Sequence, residues 1–165
     1  MRALAAPLLL FFMCAPAPAA DKPAQTVSPL LRFFEGRTRG DVRVRIILST
    51  PRSLQVESVG TIDTDGTLIL SQRIEEPSKP TRTREGRLSE VAPGRFAGTL
   101  SDATGPVTGG LEGDTLRLRY RIPGNLNIDQ RITLAPDGRS ARNRSTIRRM
   151  NLIVGTISET ITKLD

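Results

Sequence analysis

Leu116-Arg117-Leu118-Arg119-Tyr120-Arg121-Ile122 decides the fold of this chain. Apolar and basic residues alternate without a break, and side chains that switch faces at every step are the signature of a strand with one face buried and one in water. The same beat recurs on both sides. Val42, Val44 and Ile46 alternate with Arg43 and Arg45. Leu126, Ile128, Gln130, Ile132 and Leu134 alternate with Asn127, Asp129, Arg131 and Thr133. Leu54, Val56 and Ile62 share a parity with Ser58 and Gly60.

Turn residues fall where these runs stop. Asp65-Gly66 separates Ile62 from Thr67-Leu68-Ile69-Leu70, and Asp137-Gly138 follows Ile132-Thr133-Leu134. Asp-Gly between alternating runs predicts a type I′ hairpin, whose two central residues need positive φ. Pro93-Gly94, Gly113-Asp114 and Pro123-Gly124 punctuate the rest. Strands are expected at 38–48, 53–63, 66–76, 81–91, 94–101, 106–111, 114–122, 126–135, 139–149 and 152–163. In the last, Ile153, Ile157 and Ile161 also fit helical spacing, but the β-branched content favours a pleated surface. One short helix is expected near Ser28 to Glu35, with Ser28 as its cap and Pro29 at its first position.

About nine or ten short strands joined by tight turns make antiparallel neighbours. The fold expected is all-β, an up-and-down barrel, because closure removes exposed edges. A two-sheet sandwich is the alternative.

The first twenty residues read differently. Met1-Arg2 is a positive start, Leu4 to Met13 is apolar, and Ala17-Pro18-Ala19 fits an A-x-A cleavage site. That order is a secretory signal peptide, which makes residues 1–20 a leader and residues 21–165 one domain of an exported, periplasmic protein. Met13 before Cys14 is a poor match to a lipoprotein signal, so no lipid anchor is expected there. If Cys14, the chain's one cysteine, leaves with the leader, no thiolate chemistry remains, and the lack of histidine removes the commonest general base and metal ligand. Neither a cofactor nor an enzymatic activity is expected. The net charge is +7, carried mostly by arginine. With one tyrosine, five phenylalanines and no tryptophan, a nucleic-acid stacking platform is not expected.

A set of motifs adds a resemblance. Phe33-Phe34-Glu35-Gly36-Arg37-Thr38-Arg39-Gly40 opens the domain, and Gly94-Arg95-Phe96-Ala97-Gly98-Thr99 leads to Ser101-Asp102-Ala103-Thr104-Gly105. Gly109-Gly110-Leu111-Glu112-Gly113-Asp114 leads to Arg117-Leu118-Arg119-Tyr120, and Asn143-Arg144-Ser145 and Val154-Gly155-Thr156-Ile157 follow. This order resembles the bacterial envelope family called domain of unknown function 3833, over nearly the whole domain. The resemblance implies a lipocalin-like barrel with no established enzymatic activity, and a setting near enzymes that modify membrane lipids. Three features of the family pattern are missing: Asp41-Val42 stands where an aromatic is usual, Asp129-Gln130-Arg131-Ile132 where an acidic-tryptophan motif is usual, and the lipobox that the family's many lipoproteins carry is absent.

Three local patterns carry no chemistry. Asp63-Thr64-Asp65-Gly66 resembles the start of a calcium loop, but Ile74 stands where the bidentate glutamate belongs. Glu75 and Glu76 are strand neighbours and point to opposite faces. Ser78-Lys79 sits in a proline-flanked loop with nothing to activate a nucleophile.

Two candidate sites remain. The barrel interior either holds an apolar or lipid-like small molecule or is filled by its own side chains, with buried amides satisfied by backbone. Its candidate lining is Ser58, Gln72, Phe96, Gly98, Leu118, Tyr120 and Gln130, the small members leaving space and the polar ones orienting a ligand. The second is an outer row of Arg142, Arg144 and Arg148, which share one parity and could meet anions on a membrane surface or an envelope partner. These give two functional expectations: a small-molecule-binding barrel, or an interaction protein that docks through its basic outer face.

Overall fold

A computed structural model describes residues 27–165. The expected signal peptide at residues 1–20, its cleavage site and Cys14 lie outside the described residues.

The chain forms one short helix and ten strands: α1 (Pro29–Phe33), β1 (Gly36–Ile46), β2 (Arg52–Ile62), β3 (Leu68–Glu75), β4 (Arg82–Ala92), β5 (Arg95–Leu100), β6 (Val107–Glu112), β7 (Thr115–Ile122), β8 (Leu126–Leu134), β9 (Ser140–Arg149) and β10 (Leu152–Lys163). Every strand pairs antiparallel with its sequence neighbours, and β1 pairs with β10 over Thr38–Ile46 and Gly155–Lys163. The sheet is therefore a closed up-and-down barrel and not a two-sheet sandwich. Among the described residues, no strand edge is left to pair with another chain.

Alternation is what makes this closure stable. Leu116 and Leu118 are buried while Arg119 and Arg121 face water, and Val42 and Val44 are buried between exposed Arg43 and Arg45. Each such aliphatic side chain contributes about 1.5–3 kcal/mol on burial. A one-residue slip would invert every face at once, so the pattern also fixes the register.

An eight-stranded barrel is already just wide enough for its own side chains to fill. Ten strands enclose more, and α1 occupies one mouth. Its Leu30, Leu31 and Phe33, with the following Phe34, pack against Leu68, Phe96, Val107, Leu116, Ile132 and Ile161. Gly60 permits this approach, since a Cβ there would lie 1.9 Å from the Phe34 carbonyl oxygen. A second cluster, Val42, Val44, Leu54, Val56 and Ile74, fills the opposite end.

Three local expectations need correction. Ser28 does not cap α1 with its side chain; its hydroxyl is buried without a partner among the described residues, and its carbonyl instead accepts from Arg32 N at 3.1 Å. Strand β1 stops at Ile46 and not at residue 48, because Leu48 turns the chain with φ 60°. Neither Asp-Gly turn is type I′: Gly66 and Gly138 have positive φ but Asp65 and Asp137 do not. The aspartates accept backbone hydrogen bonds instead, Asp65 from Thr67 N at 2.9 Å and Asp137 from Arg139 N at 2.9 Å. That pulls each loop into a longer turn ending on an αL glycine.

Candidate functional site: a polar layer inside the barrel

Between the two apolar clusters, the inward positions turn polar. Ser58 on β2, Gln72 on β3 and Arg84 on β4 form a chain across neighbouring strands. Arg84 Nε donates to Gln72 Oε1 at 2.8 Å, and Gln72 Nε2 donates to Ser58 Oγ at 3.0 Å. The Arg84 guanidinium also lies 3.5 Å from Asp102, in the β5–β6 loop. A second group sits on β9 and β10. Ser145 Oγ donates to Asn143 Oδ1 at 3.3 Å, and Asn143 Nδ2 donates to Glu159 Oε2 at 2.6 Å.

Glu159 is the electrostatic centre of this layer. Burial pushes its carboxyl above the usual carboxylate range; the Asn143 hydrogen bond and the Arg84 charge pull the other way without cancelling it. Gly40 makes the space it occupies, because a Cβ there would stand 2.0 Å from Glu159 Oε1. Tyr120 is also shifted upward by burial.

A cavity of about 90 Å³ lies against this layer. Leu30, Leu31, Phe34, Leu68, Leu116 and Leu118 form its apolar side, and Ser58, Gln72, Arg84, Gln130, Asn143 and Glu159 its polar side. It is a two-faced void. At this volume it matches about three waters at ~30 Å³ each and is smaller than the ~150 Å³ that admits a benzene-sized molecule.

Of the interior residues expected from sequence, Ser58, Gln72, Leu118 and Gln130 border this cavity. Phe96, Gly98 and Tyr120 do not. Phe96 is buried in the apolar cluster around α1. Gly98 leaves no empty space: a Cβ there would meet the Arg87 carbonyl oxygen at 1.9 Å, so the glycine serves close approach of neighbouring backbone. Tyr120 packs at the edge of the same cluster, nearer the β5–β6 loop. Alternation alone had not singled out Arg84, Asn143 and Glu159. Their signal was available, since Glu159 shares parity with Ile157 and Ile161, and Asn143 with Ala141 and Ile147.

The outer arginines divide. Arg142 and Arg144 point outward and border an open groove of about 930 Å³ with Asp41, Arg43, Gln55 and Lys79. Arg148 lies elsewhere, beside Asn127 and Asp129. Register sets Arg117, Arg131, Arg144, Ser158 and Arg43 in one row across β7, β8, β9, β10 and β1. Among the described residues, Arg43, Arg131, Arg142, Arg144 and Arg148 make no ion pair. Like charges in directly opposed register are unfavourable.

No protein-family model matches the chain, and no curated protein matches its sequence. Solved structures do share its fold. The S-type phycobiliprotein lyase CPES from Guillardia theta aligns with TM-score 0.66 at 10% identity, over 82% of this chain and 91% of that one. Rv2717c from M. tuberculosis aligns with TM-score 0.61 at 18% identity, over 87% of this chain and 99% of that one. At these identities the likeness is one of fold, and it makes the chain a lipocalin-like β-barrel.

Proposed function

We propose that this chain is a non-enzymatic binding protein whose barrel interior takes a small molecule with an apolar body and a hydrogen-bonding end. The observation that carries this reading is the two-faced cavity between α1 and the Arg84–Glu159 layer. Binding sites for small molecules are concave, mostly apolar and oriented by a few polar groups. The lipocalin-like fold supports the same reading. Ligand pockets measure about 300–1,000 Å³, so this cavity of about 90 Å³ must enlarge to take such a ligand. Outward movement of α1 would do this, because Leu30, Leu31 and Phe33 of the helix, with the following Phe34, fill the mouth.

The test is native mass spectrometry of the purified chain, followed by titration with the apolar fluorophore N-phenyl-1-naphthylamine. Saturable one-to-one uptake is expected, displaced by any co-purified species and weakened by filling the cavity with Leu118→Trp. Absence of both a bound species and saturable uptake would refute the reading. A periplasmic setting for this activity is part of the same proposal, and the signal-like start at residues 1–20 supports it. N-terminal sequencing of the exported chain should then begin at Ala20 or Asp21.

The outward Arg142 and Arg144, which make no ion pair among the described residues, favour a second reading, in which the outer face docks on an anionic envelope partner. Charge on that face would then govern association, and salt would weaken it.

A further inference from the structure

At the barrel end opposite α1, two neighbouring hairpin turns expose apolar side chains. Leu48 in the β1–β2 turn is 102% exposed, Met150 in the β9–β10 turn 79%, and Leu152 70%. Ile47 and Ile153 are exposed beside them. The turns are neighbours: Ile47 N donates to the Val154 carbonyl at 3.0 Å. Turns normally carry glycine, asparagine, aspartate or serine. Here Leu48 and Met150 both hold positive φ, 60° and 48°, a region that large side chains rarely enter. Strain retained at an exposed site points to use of that site.

The surroundings are basic. Arg45, Arg148 and Arg149 flank the two turns, and the segments 43–52 and 147–156 contain no aspartate or glutamate. Among the described residues, none of these three arginines makes an ion pair.

From this we propose that the paired turns are a membrane-docking tip. Leu48, Met150 and Leu152 insert into the headgroup boundary of a bilayer, and Arg45, Arg148 and Arg149 meet its anionic phosphates. Apolar side chains backed by cations are the combination that interfacial binding requires. Charge complementarity selects an anionic lipid surface over an apolar protein partner. The barrel then stands on the membrane by this end, with the α1 mouth facing away from the bilayer.

The experiment uses the chain from Asp21, so that the apolar run Leu4 to Met13 cannot supply affinity. Sedimentation with phosphatidylcholine vesicles, with and without phosphatidylglycerol, should show binding that depends on the anionic lipid and weakens with salt. The double variant Leu48→Asn, Met150→Asn should bind about tenfold more weakly or worse, each lost apolar group removing buried area. Its thermal stability should hold or rise, because asparagine tolerates positive φ. A separate Leu48→Trp variant gives a reporter in a chain that has no other tryptophan. Its emission should shift to the blue on vesicles and be quenched by brominated acyl chains. Binding unchanged in the double variant, or a reporter that stays in water, would overturn the proposal. So would a self-association that the double variant abolishes without any vesicle binding, since a second copy would then be the occupant.

Discussion

Asn143 donates its side-chain amide to Glu159 Oε2 at 2.6 Å, inside a closed barrel and between two apolar clusters. A carboxyl is thus held where water is scarce, at one face of the central cavity. Ionised, it lacks the hydration that would stabilise it in solution. A purely structural core would be better served by leucine here, and the pair fits the polar end of the proposed binding site.

The first consequence is a pH dependence. Glu159 titrates above its ordinary 4.5 because burial disfavours the charged form. A carboxyl with a raised folded-state pKa contributes stability below its unfolded pKa and loses it as pH rises through the folded value. Stability from this group should therefore fall as pH climbs from about 4.5 upward. Glu159→Gln keeps a group of similar shape without the charge. It should raise Tm at neutral pH by a few degrees and flatten that fall, as thermal melts across pH would show. A Tm lowered equally at all pH values would mean the carboxylate is a net stabiliser.

Gly40 should be coupled to the same carboxylate. A methyl at Gly40 would stand 2.0 Å from Glu159 Oε1, so Gly40→Ala must displace the Glu159 side chain. The single substitution should cost about 1–3 kcal/mol, the usual range for overpacking. In the background of Glu159→Ala it should cost much less. A double-mutant cycle by denaturant unfolding measures this coupling, and additive costs would mean that Gly40 is retained for another reason.

Thr38 presents the opposite case. Its hydroxyl is fully buried, and it has no hydrogen-bond partner among the described residues. An unsatisfied buried hydroxyl costs free energy that an apolar isostere does not. Thr38→Val should stabilise the chain by about 1 kcal/mol, or roughly 2–4 °C in Tm for a domain of this size. A loss of stability would show that a water or ligand group satisfies the hydroxyl.

Most of the fold was legible because one physical rule produced it. Leu116, Leu118 and Tyr120 face inward and Arg119 and Arg121 outward, and that alternation repeats on enough strands to locate all ten. Turn conformation was not legible, because Asp65 and Asp137 choose between positive φ and side-chain capping according to flanking geometry. The site was half legible. Parity put Ser58, Gln72 and Gln130 inside, but it carries no information about which strands meet at one depth of the barrel. That depends on the stagger of closure, which brings Arg84 and Glu159 to the same cavity from strands far apart in sequence. Volume was invisible too, as Gly98 shows: a missing side chain there is filled by backbone.

On the outer surface, Asp129 accepts from Arg117 Nε at 3.0 Å and from the same guanidinium at its other oxygen, with Arg119 Nε 3.7 Å away. The Arg117 hydrogen bond, ahead of the arginine charges, holds the Asp129 carboxyl below its ordinary 3.8. A depressed folded-state pKa contributes stability above the unfolded value and loses it as pH falls through the folded one. Asp129→Asn should therefore lower stability at neutral pH and show little further effect in strong acid. It should also leave Arg117 with only Glu112, 3.5 Å away, to offset its charge in the row with Arg131 and Arg144, so the loss should shrink as salt is added. Unfolding at two pH values and two ionic strengths distinguishes this from a simple packing defect.

The last prediction concerns how the barrel opens. Lys163, near the end of β10, donates from its ammonium to the carbonyl oxygens of Phe33, at 3.2 Å, and Glu35. These carbonyls lie at the end of α1, where a helix leaves its acceptors unsatisfied and a cation is favourable. Lys163 thus ties the helix to the rim of the barrel it closes. Lys163→Met keeps the aliphatic stem and removes the donors, so packing survives while the tie is lost. Hydrogen exchange should then quicken at the Arg32, Phe34 and Glu35 amides, whose bonds hold the helix turn together. Amides in the middle of β7 and β8 should exchange at their former rate. If α1 is the gate, uptake of N-phenyl-1-naphthylamine should become faster while its saturating amount stays the same. Faster exchange throughout the barrel would show instead that Lys163 supports the whole fold, and unchanged uptake with a freed helix would mean that ligand enters from the other end.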